Sequence, residues 1–227
     1  MKVVLLHAFP LDERMWEPQR AALEGVDVQA PNLYGLGRTV DEWADAVLAE
    51  AGDDQLALVG ASMGGYAALA VARRAPERVL GVALVGSRPD PDNDERRSGR
   101  AATIELIENE GPEGLWRSLR PKLFPPEARE EVVDRARALT LEQEPDGLIR
   151  AVEAMRDRPD ATAAAEALRD RLLVVVGSRD PFVMVDEAYA FGESAAAAVF
   201  EGSGHLATME RPEEFNHVLT DFIARWT

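Results

Sequence analysis

The tightest constraint on this chain is the stretch Gly60-Ala61-Ser62-Met63-Gly64. Behind it lies Leu56-Ala57-Leu58-Val59, an apolar run of the length and composition of a buried strand. Ahead of it lies Gly65-Tyr66-Ala67-Ala68-Leu69-Ala70-Val71-Ala72, small and apolar residues suited to a packed helix. A serine at such a junction occupies a sharp strand-to-helix turn. Side chains two positions to either side would collide with the residue at its apex, which fits glycine at 60 and 64.

The flanking sequence repeats the same alternation. A strand is expected over 2–6, a helix over 13–23 ended by Gly25, and a short strand over 26–30. Thr39 with Glu42 three residues on reads as a capping box. Val40, Trp43, Val47, Leu48 and Ala51 then share one helical face up to Gly52. The helix after Ser62 stops before Pro76, and the next strand covers 79–85. Strand and helix in strict succession argue for an α/β fold, a parallel sheet with helices on both faces.

At Gly86-Ser87-Arg88-Pro89 the alternation breaks, and no apolar strand returns until Leu172. Helices are expected over 101–110, 112–119, 126–139 and 146–156, divided by glycine and proline signals. A further helix over 161–169 precedes a buried strand from Leu172, a last strand over 195–200 and a closing helix from about 212 to 226. The expected architecture is a mostly parallel sheet of about six strands with a helical lid inserted after the fourth. Residues 1–87 and 160–227 form the core and 88–159 the lid. The lid brings Trp116, Leu119, Phe124 and Met155 as wall residues of a substrate pocket, or as packing among the lid helices themselves.

Composition narrows the function. The 227 residues suit one domain with an insertion and contain no apolar run long enough to span a membrane. The opening apolar run stops at His7 with no small-residue cleavage site, so it reads as a strand and not as a leader; the expected location is cytoplasmic. There is no cysteine, which excludes disulfides, thiolate metal sites and cysteine nucleophiles. A formal charge of -16 argues against nucleic acid and anionic membrane surfaces as partners. The arginines at 88, 96, 97 and 100 either steer an anionic substrate or form a solvated face.

Three strand ends carry, in chain order, Ser62, Asp180 and His205. All three belong to the same rim of a parallel sheet, where open α/β sheets hold their ligands. A serine hydroxyl is a weak nucleophile at its free pKa, so an imidazole must take its proton and a carboxylate must fix the imidazole tautomer. Ser62, His205 and Asp180 fit those roles as the catalytic residues. Asp90 is the rival acid; His217 lies in the last helix, and His7 follows the first strand with a structural role. The oxyanion formed on an ester needs preset donors, and the amides of Met63, at a helix N-terminus, and Phe9 supply two. Phe182 and Leu206, beside the acid and the histidine, join Trp116, Leu119 and Phe124 as expected pocket residues. This chemistry uses no metal and no cofactor.

These residues resemble the α/β-hydrolase superfamily along nearly the whole chain. His7-Ala8-Phe9-Pro10 is similar to its H-G-F-P oxyanion loop with alanine for glycine, and the run from Pro31 to Thr39 to its P-D-x-x-G-x-G-x-S loop. Gly60 to Gly64 resembles the nucleophile elbow, Gly177 to Pro181 the acid loop, and Gly204-His205 with Glu210-Arg211-Pro212 the histidine loop and last helix. Leu36 stands where many relatives have histidine, and Thr39 where they have serine. The chain starts at what would be the third strand of the full fold. Serine at 62 sets it apart from haloalkane dehalogenases and epoxide hydrolases, which use aspartate. The resemblance extends to the small lidded esterases and lactonases, such as 3-oxoadipate enol-lactonases. It implies a serine hydrolase acting on a small-molecule carboxylic ester or lactone. The same triad also serves C-C bond or thioester hydrolysis, or a slow-turnover signalling or binding protein.

Overall fold

The computed structural model describes residues 1–190 and 196–226. Its centre is a six-stranded sheet in which every neighbouring pair is parallel. The strands are β1 (Lys2–Leu6), β2 (Val28–Gln29), β3 (Leu56–Ala61), β4 (Val79–Val85), β5 (Leu172–Gly177) and β6 (Ala196–Phe200). They lie in the order β2-β1-β3-β4-β5-β6, so β3 carries the serine turn in the interior of the sheet. Helices alternate with them: α1 (Glu17–Ala22), α2 (Val40–Ala51), α3 (Met63–Arg74), α4 (Asp94–Leu123), α5 (Glu130–Leu141), α6 (Pro145–Arg156), α7 (Thr162–Leu168), α8 (Val185–Ala190), α9 (Ala207–Glu210) and α10 (Pro212–Ile223).

The apolar runs of the strands do not alternate with polar residues because both faces of the sheet are covered. Alternate residues feed two separate cores. Val4, Leu6, Leu58, Leu84 and Val174 face the layer of α2 and α3. Val3, Leu5, Val59, Val85 and Val175 face the layer of Trp16, Leu23 and α10. Helix α2 presents Val40, Trp43, Ala44, Val47 and Ala51 to the first core, and Thr39 Oγ1 accepts the Glu42 amide at 3.1 Å. The second half of the expected capping box differs: the Glu42 carboxylate accepts the Arg38 amide, one residue upstream.

Several boundaries differ from expectation for local reasons. Residues 13–23 divide into a 3-10 turn (Glu13–Trp16) and α1, because Pro18 lacks the amide hydrogen that a continuous ladder needs. The strand expected over 26–30 pairs only at Val28 and Gln29 on the sheet edge. The two helices expected over 101–110 and 112–119 are halves of α4, hinged at Gly111 with φ 63° just before Pro112. Helices α8 and α9 were not expected; both are short and lie within loop-like sequence. Ala195, expected to open the last strand, lies outside the described residues.

Helices α4, α5 and α6 fill the interval between β4 and β5 and pack over the sheet. They bury residues in both cores, Ile107, Leu148 and Val152 in one and Trp116, Ala136 and Leu139 in the other. The insertion is pinned by a buried ion pair, Arg158 Nη1 to Asp92 Oδ1 at 2.6 Å, with side-chain exposures of 3% and 0%. Arg158 also donates to the Met155 and Asp90 carbonyls and lies 4.0 Å over the Tyr66 ring. Asp92 accepts further from Arg100 Nε at 3.0 Å. A buried charge pair of this kind offsets a large desolvation cost only when its remaining hydrogen-bonding capacity is filled, as most of it is here. Among the described residues no helix is long and apolar enough to cross a membrane.

Candidate active site

Ser62 stands between β3 and α3 with φ 48° and ψ -111°, a left-handed conformation that L residues rarely adopt. Its geometry is held from three sides. The Ser62 amide donates to Val85 O at 2.7 Å, and Ser62 O accepts both the Gly65 amide at 2.9 Å and Ser87 Oγ at 2.8 Å. Glycine at 64 is required by close approach, since a Cβ there would lie 2.0 Å from Leu6 O and 2.9 Å from His7 O. The start of α3 is therefore pressed against the end of β1, and with it against the loop that carries Phe9.

That loop is set by His7, which is fully buried. Its Nδ1 lies 3.1 Å from Ala8 O and its Nε2 accepts the Leu33 amide at 2.9 Å, so the ring proton belongs on Nδ1. Burial pushes the ring down to about 4, which leaves it neutral. His7 thus ties the Phe9 loop to the loop after β2. Tyr34 closes the tie, its hydroxyl donating to Leu11 O at 2.8 Å and its ring 5.1 Å from that of His7. The Phe9 amide meets no hydrogen-bond acceptor among the described residues. Met63, first residue of α3, has the unpaired amide of any helix N-terminus.

Asp180 and His205 meet at the ends of β5 and β6. His205 Nδ1 lies 2.8 Å from Asp180 Oδ2, with side-chain exposures of 4% and 0%. The other carboxylate oxygen, Oδ1, accepts the amides of Phe182 at 2.8 Å and Val183 at 3.3 Å, so the acid is fixed by its own turn. His205 is held by its backbone amide, which donates to Leu123 O at the end of α4, and by the Phe182 ring at 4.6 Å. Glu210 Oε1 accepts the Gly204 amide at 2.9 Å, bracing the histidine loop. Burial pushes the Glu210 carboxyl up to about 7, against the lowering effect of that hydrogen bond.

Ser62 and His205 line one cavity of about 220 Å³ together with Phe9. No hydrogen bond joins Ser62 Oγ to the imidazole in this structure. Of the expected pocket residues, Leu119 and Phe182 are in the wall. Trp116, Phe124 and Leu206 are not. They are buried in the second core, where the Trp116 and Phe124 rings pack 6.4 Å apart, because the face of α4 that bears Trp116 turns toward the sheet. Asp90 is engaged elsewhere, accepting Arg88 Nε and Arg96 Nη2, each at 2.6 Å. His217 is exposed on α10 with Nδ1 near Glu213 O.

Sequence reasoning missed Gly86 and Ser87. Gly86 has φ 54°, and a Cβ on it would lie 3.0 Å from both Asp180 Oδ2 and His205 Nδ1. The glycine after β4 makes room for the acid-imidazole pair. A glycine at the C-terminal end of a strand is the signal that could have found it. Nothing in the sequence marks Ser87. Arg88, Arg96 and Arg100 do reach the cavity wall, whereas Arg97 pairs with Asp157 at 3.5 Å outside it. Among the described residues no group of His, Asp or Glu side chains is gathered to hold a metal ion.

The family model described as "Alpha/beta hydrolase family" matches residues 3–218. A thermophilic esterase from Thermogutta terrifontis, solved with malate bound, superposes with a TM-score of 0.92 at 30% identity, over 99% of this chain and 90% of that one. The enol-lactonase from Burkholderia xenovorans LB400 shares the fold with a TM-score of 0.85 at 24% identity, over 98% and 91% of the two chains. A pimeloyl-[acyl-carrier protein] methyl ester esterase from Aromatoleum aromaticum is 37% identical over 94 residues, 38% of this chain and 37% of that protein. The chain spans less than two thirds of the length of the first curated relatives it matches, 37% and 62%. With the parallel sheet, the strained serine turn and a family match over nearly its whole length, the chain belongs to the alpha/beta hydrolase family.

Proposed function

We propose that the protein is a serine hydrolase that cleaves a small to medium carboxylic ester or lactone through an acyl-enzyme. The observation that carries this reading is the buried 2.8 Å contact of His205 with Asp180, opening onto the cavity that Ser62 shares. Ser62 Oγ attacks the ester carbonyl carbon as its proton passes to His205 Nε2. The imidazolium then gives that proton to the departing alcohol oxygen as the acyl-oxygen bond breaks. Water, deprotonated by the same nitrogen, attacks the acyl-enzyme carbonyl, and the acid leaves as Ser62 regains its hydrogen.

The free amides of Phe9 and Met63 are the donors for the oxyanion, each worth about two to three orders of magnitude in rate when preset. Asp180 orients His205 and balances its charge after proton transfer. The absence of a ground-state hydrogen bond to Ser62 is compatible with this role, since catalytic hydrogen bonds are often long before substrate binds and shorten in the complex. Helices α4 to α6, within 88–159, act as the lid that selects substrate, because α4 and, through Met155, α6 supply much of the cavity wall.

The test is Ser62→Ala assayed on a short-chain aryl ester. Loss of all but a residual activity, with the fold intact by circular dichroism, is the expected result. Turnover within tenfold of the wild type would end the proposal. A panel of esters, lactones, thioesters and vinylogous diketones assigns the bond type.

A further inference from the structure

Among the described residues the cavity beside Ser62 is walled by four cationic side chains, Arg88, Arg96, Arg100 and Lys122, and by no carboxylate. This is unexpected in a chain with a formal charge of -16. The acids that balance the arginines stand behind them. Asp92, fully buried, takes Arg158, Arg100 and Arg96; Asp90 takes Arg88 and Arg96; Glu187 takes Arg88 at 3.2 Å. Four arginines thus share three carboxylates, and Lys122 has no ion pair among the described residues.

Arg100 is the best placed of the four to bind a ligand. It engages Asp92 through Nε at 3.0 Å, so its position is fixed from the rear while its two terminal amino groups make no hydrogen bond among the described residues. A guanidinium held in that way has lost most of its side-chain freedom before any ligand arrives, which lowers the cost of binding. Arg96, Arg100 and Thr103 recur at helical spacing on the N-terminal half of α4, and Lys122 approaches the same cavity from the end of its C-terminal half beyond the Gly111 hinge. Leu119, Leu123, Met155 and Val183 add an apolar stretch to the wall.

We infer that Arg100 and Lys122 form a carboxylate-binding subsite and that the substrate is an ester or lactone bearing a carboxylate, separated from the scissile carbonyl by a short hydrocarbon spacer. This rests on the serine hydrolase reading for its chemistry, and on the cavity wall alone for its charge. The anion meets a guanidinium preorganised at Arg100 and the mobile ammonium of the exposed Lys122, and charge-assisted hydrogen bonds of this kind are stronger than neutral ones. The apolar wall takes the spacer. A neutral ester of equal size leaves the Arg100 amino groups and the Lys122 ammonium unmatched.

Two isosteric pairs test this. Monomethyl adipate and its monoamide carry the charge or its neutral equivalent on the acyl side; 4-acetoxybutanoate and 4-acetoxybutanamide carry it on the alcohol side. The measured quantity is the ratio of kcat/KM, anion to amide, within each pair. One pair is expected to favour the anion by about tenfold or more, the worth of one good charge-assisted contact, mostly through KM and less at high salt. The ratio should fall toward one in R100Q/K122Q, and by a smaller factor in K122Q alone, which disturbs no ion pair and keeps the test valid if the double variant fails to fold. Ratios near one for both pairs in the wild type, or a preference that survives in folded K122Q and R100Q/K122Q, would overturn the inference. Calorimetric binding of monomethyl adipate and its monoamide to S62A separates the two proposals. Selective binding of the anion with no ester hydrolysed by the wild type sinks the hydrolase reading and keeps the subsite. Brisk hydrolysis with no charge preference does the reverse.

Discussion

Replacing Asp180 by asparagine isolates the proposed role of the acid, because the geometry dictates which way the amide must face. In the wild type Oδ1 accepts the Phe182 and Val183 amides and Oδ2 faces His205 Nδ1 at 2.8 Å. An asparagine that keeps its carbonyl oxygen toward the two amides presents its NH2 group to Nδ1. That nitrogen must then be the acceptor, and the ring proton moves to Nε2, where it blocks proton abstraction from Ser62. The opposite orientation sets the NH2 group against two backbone donors, one of them the buried Val183 amide, at a cost of about 1–3 kcal/mol for a buried group left unpaired. The wrong tautomer is therefore the stable one. Loss of the same function in serine proteases lowers kcat about ten-thousand-fold, equivalent to roughly 5–6 kcal/mol of barrier. The assay is single-turnover and steady-state hydrolysis of an aryl ester by D180N, alongside D90N and a urea melt. A loss near four orders with little change in stability is expected for D180N, and a far smaller loss for D90N, since Asp90 holds arginines and not the imidazole. D180N retaining more than a tenth of wild-type kcat would refute the reasoning.

The packing and the titrating groups set the remaining outcomes. Gly64→Ala should destabilise by about 1–3 kcal/mol or more, because the backbone atoms of Leu6 and His7 that its Cβ would strike cannot swing aside; Gly147→Ala, whose Cβ would meet Tyr34 Cβ at an ordinary 3.6 Å inside α6, should stabilise by up to about 1 kcal/mol in the same denaturation assay. His7, held neutral with its pKa lowered from 6.5 to about 4, contributes stability that is present above pH 6.5 and lost as pH falls toward 4, up to about 3 kcal/mol in total. Glu210, raised from 4.5 to about 7, acts with the opposite sign: its contribution is present at low pH and is lost as pH rises from 4.5 through 7. E210Q keeps an acceptor for the Gly204 amide and removes the ionisation, so its stability relative to the wild type should grow across that interval; a difference that is flat with pH would contradict the burial of this carboxyl.

Much of the fold was legible because its signals are local. Four successive strand signals, three of them apolar runs and one alternating, with helical stretches between them point to a parallel sheet covered on both faces, and the serine turn announces itself through its flanking glycines. The positions that make up the candidate site follow from the same pattern. Ser62, Asp180 and His205 each sit at a strand end, and parallel strands deliver all their C-terminal ends to one rim. The structure gathers His205 and Asp180 into contact and puts Ser62 in the same cavity. Where reading failed, the missing information lay outside the local window. Trp116 and Leu119 stand three residues apart on α4, yet one is buried in the second core and the other reaches the cavity. The capping box of α2 failed in half because a neighbouring amide, Arg38, competes for Glu42.

By itself the sequence determined the order of strands and helices, the strained serine and the residue types available for acyl transfer, since periodicity and backbone sterics act over a few residues. Only the tertiary structure decided which acid meets the imidazole, that Asp90 serves arginines, and that cationic side chains ring the cavity. A cavity is the space that packed elements leave unfilled. Its walls depend on how α4 bends at Gly111 and on how Asp92 and Arg158 tie the inserted helices down, and those are relations between surfaces that no short stretch of chain contains.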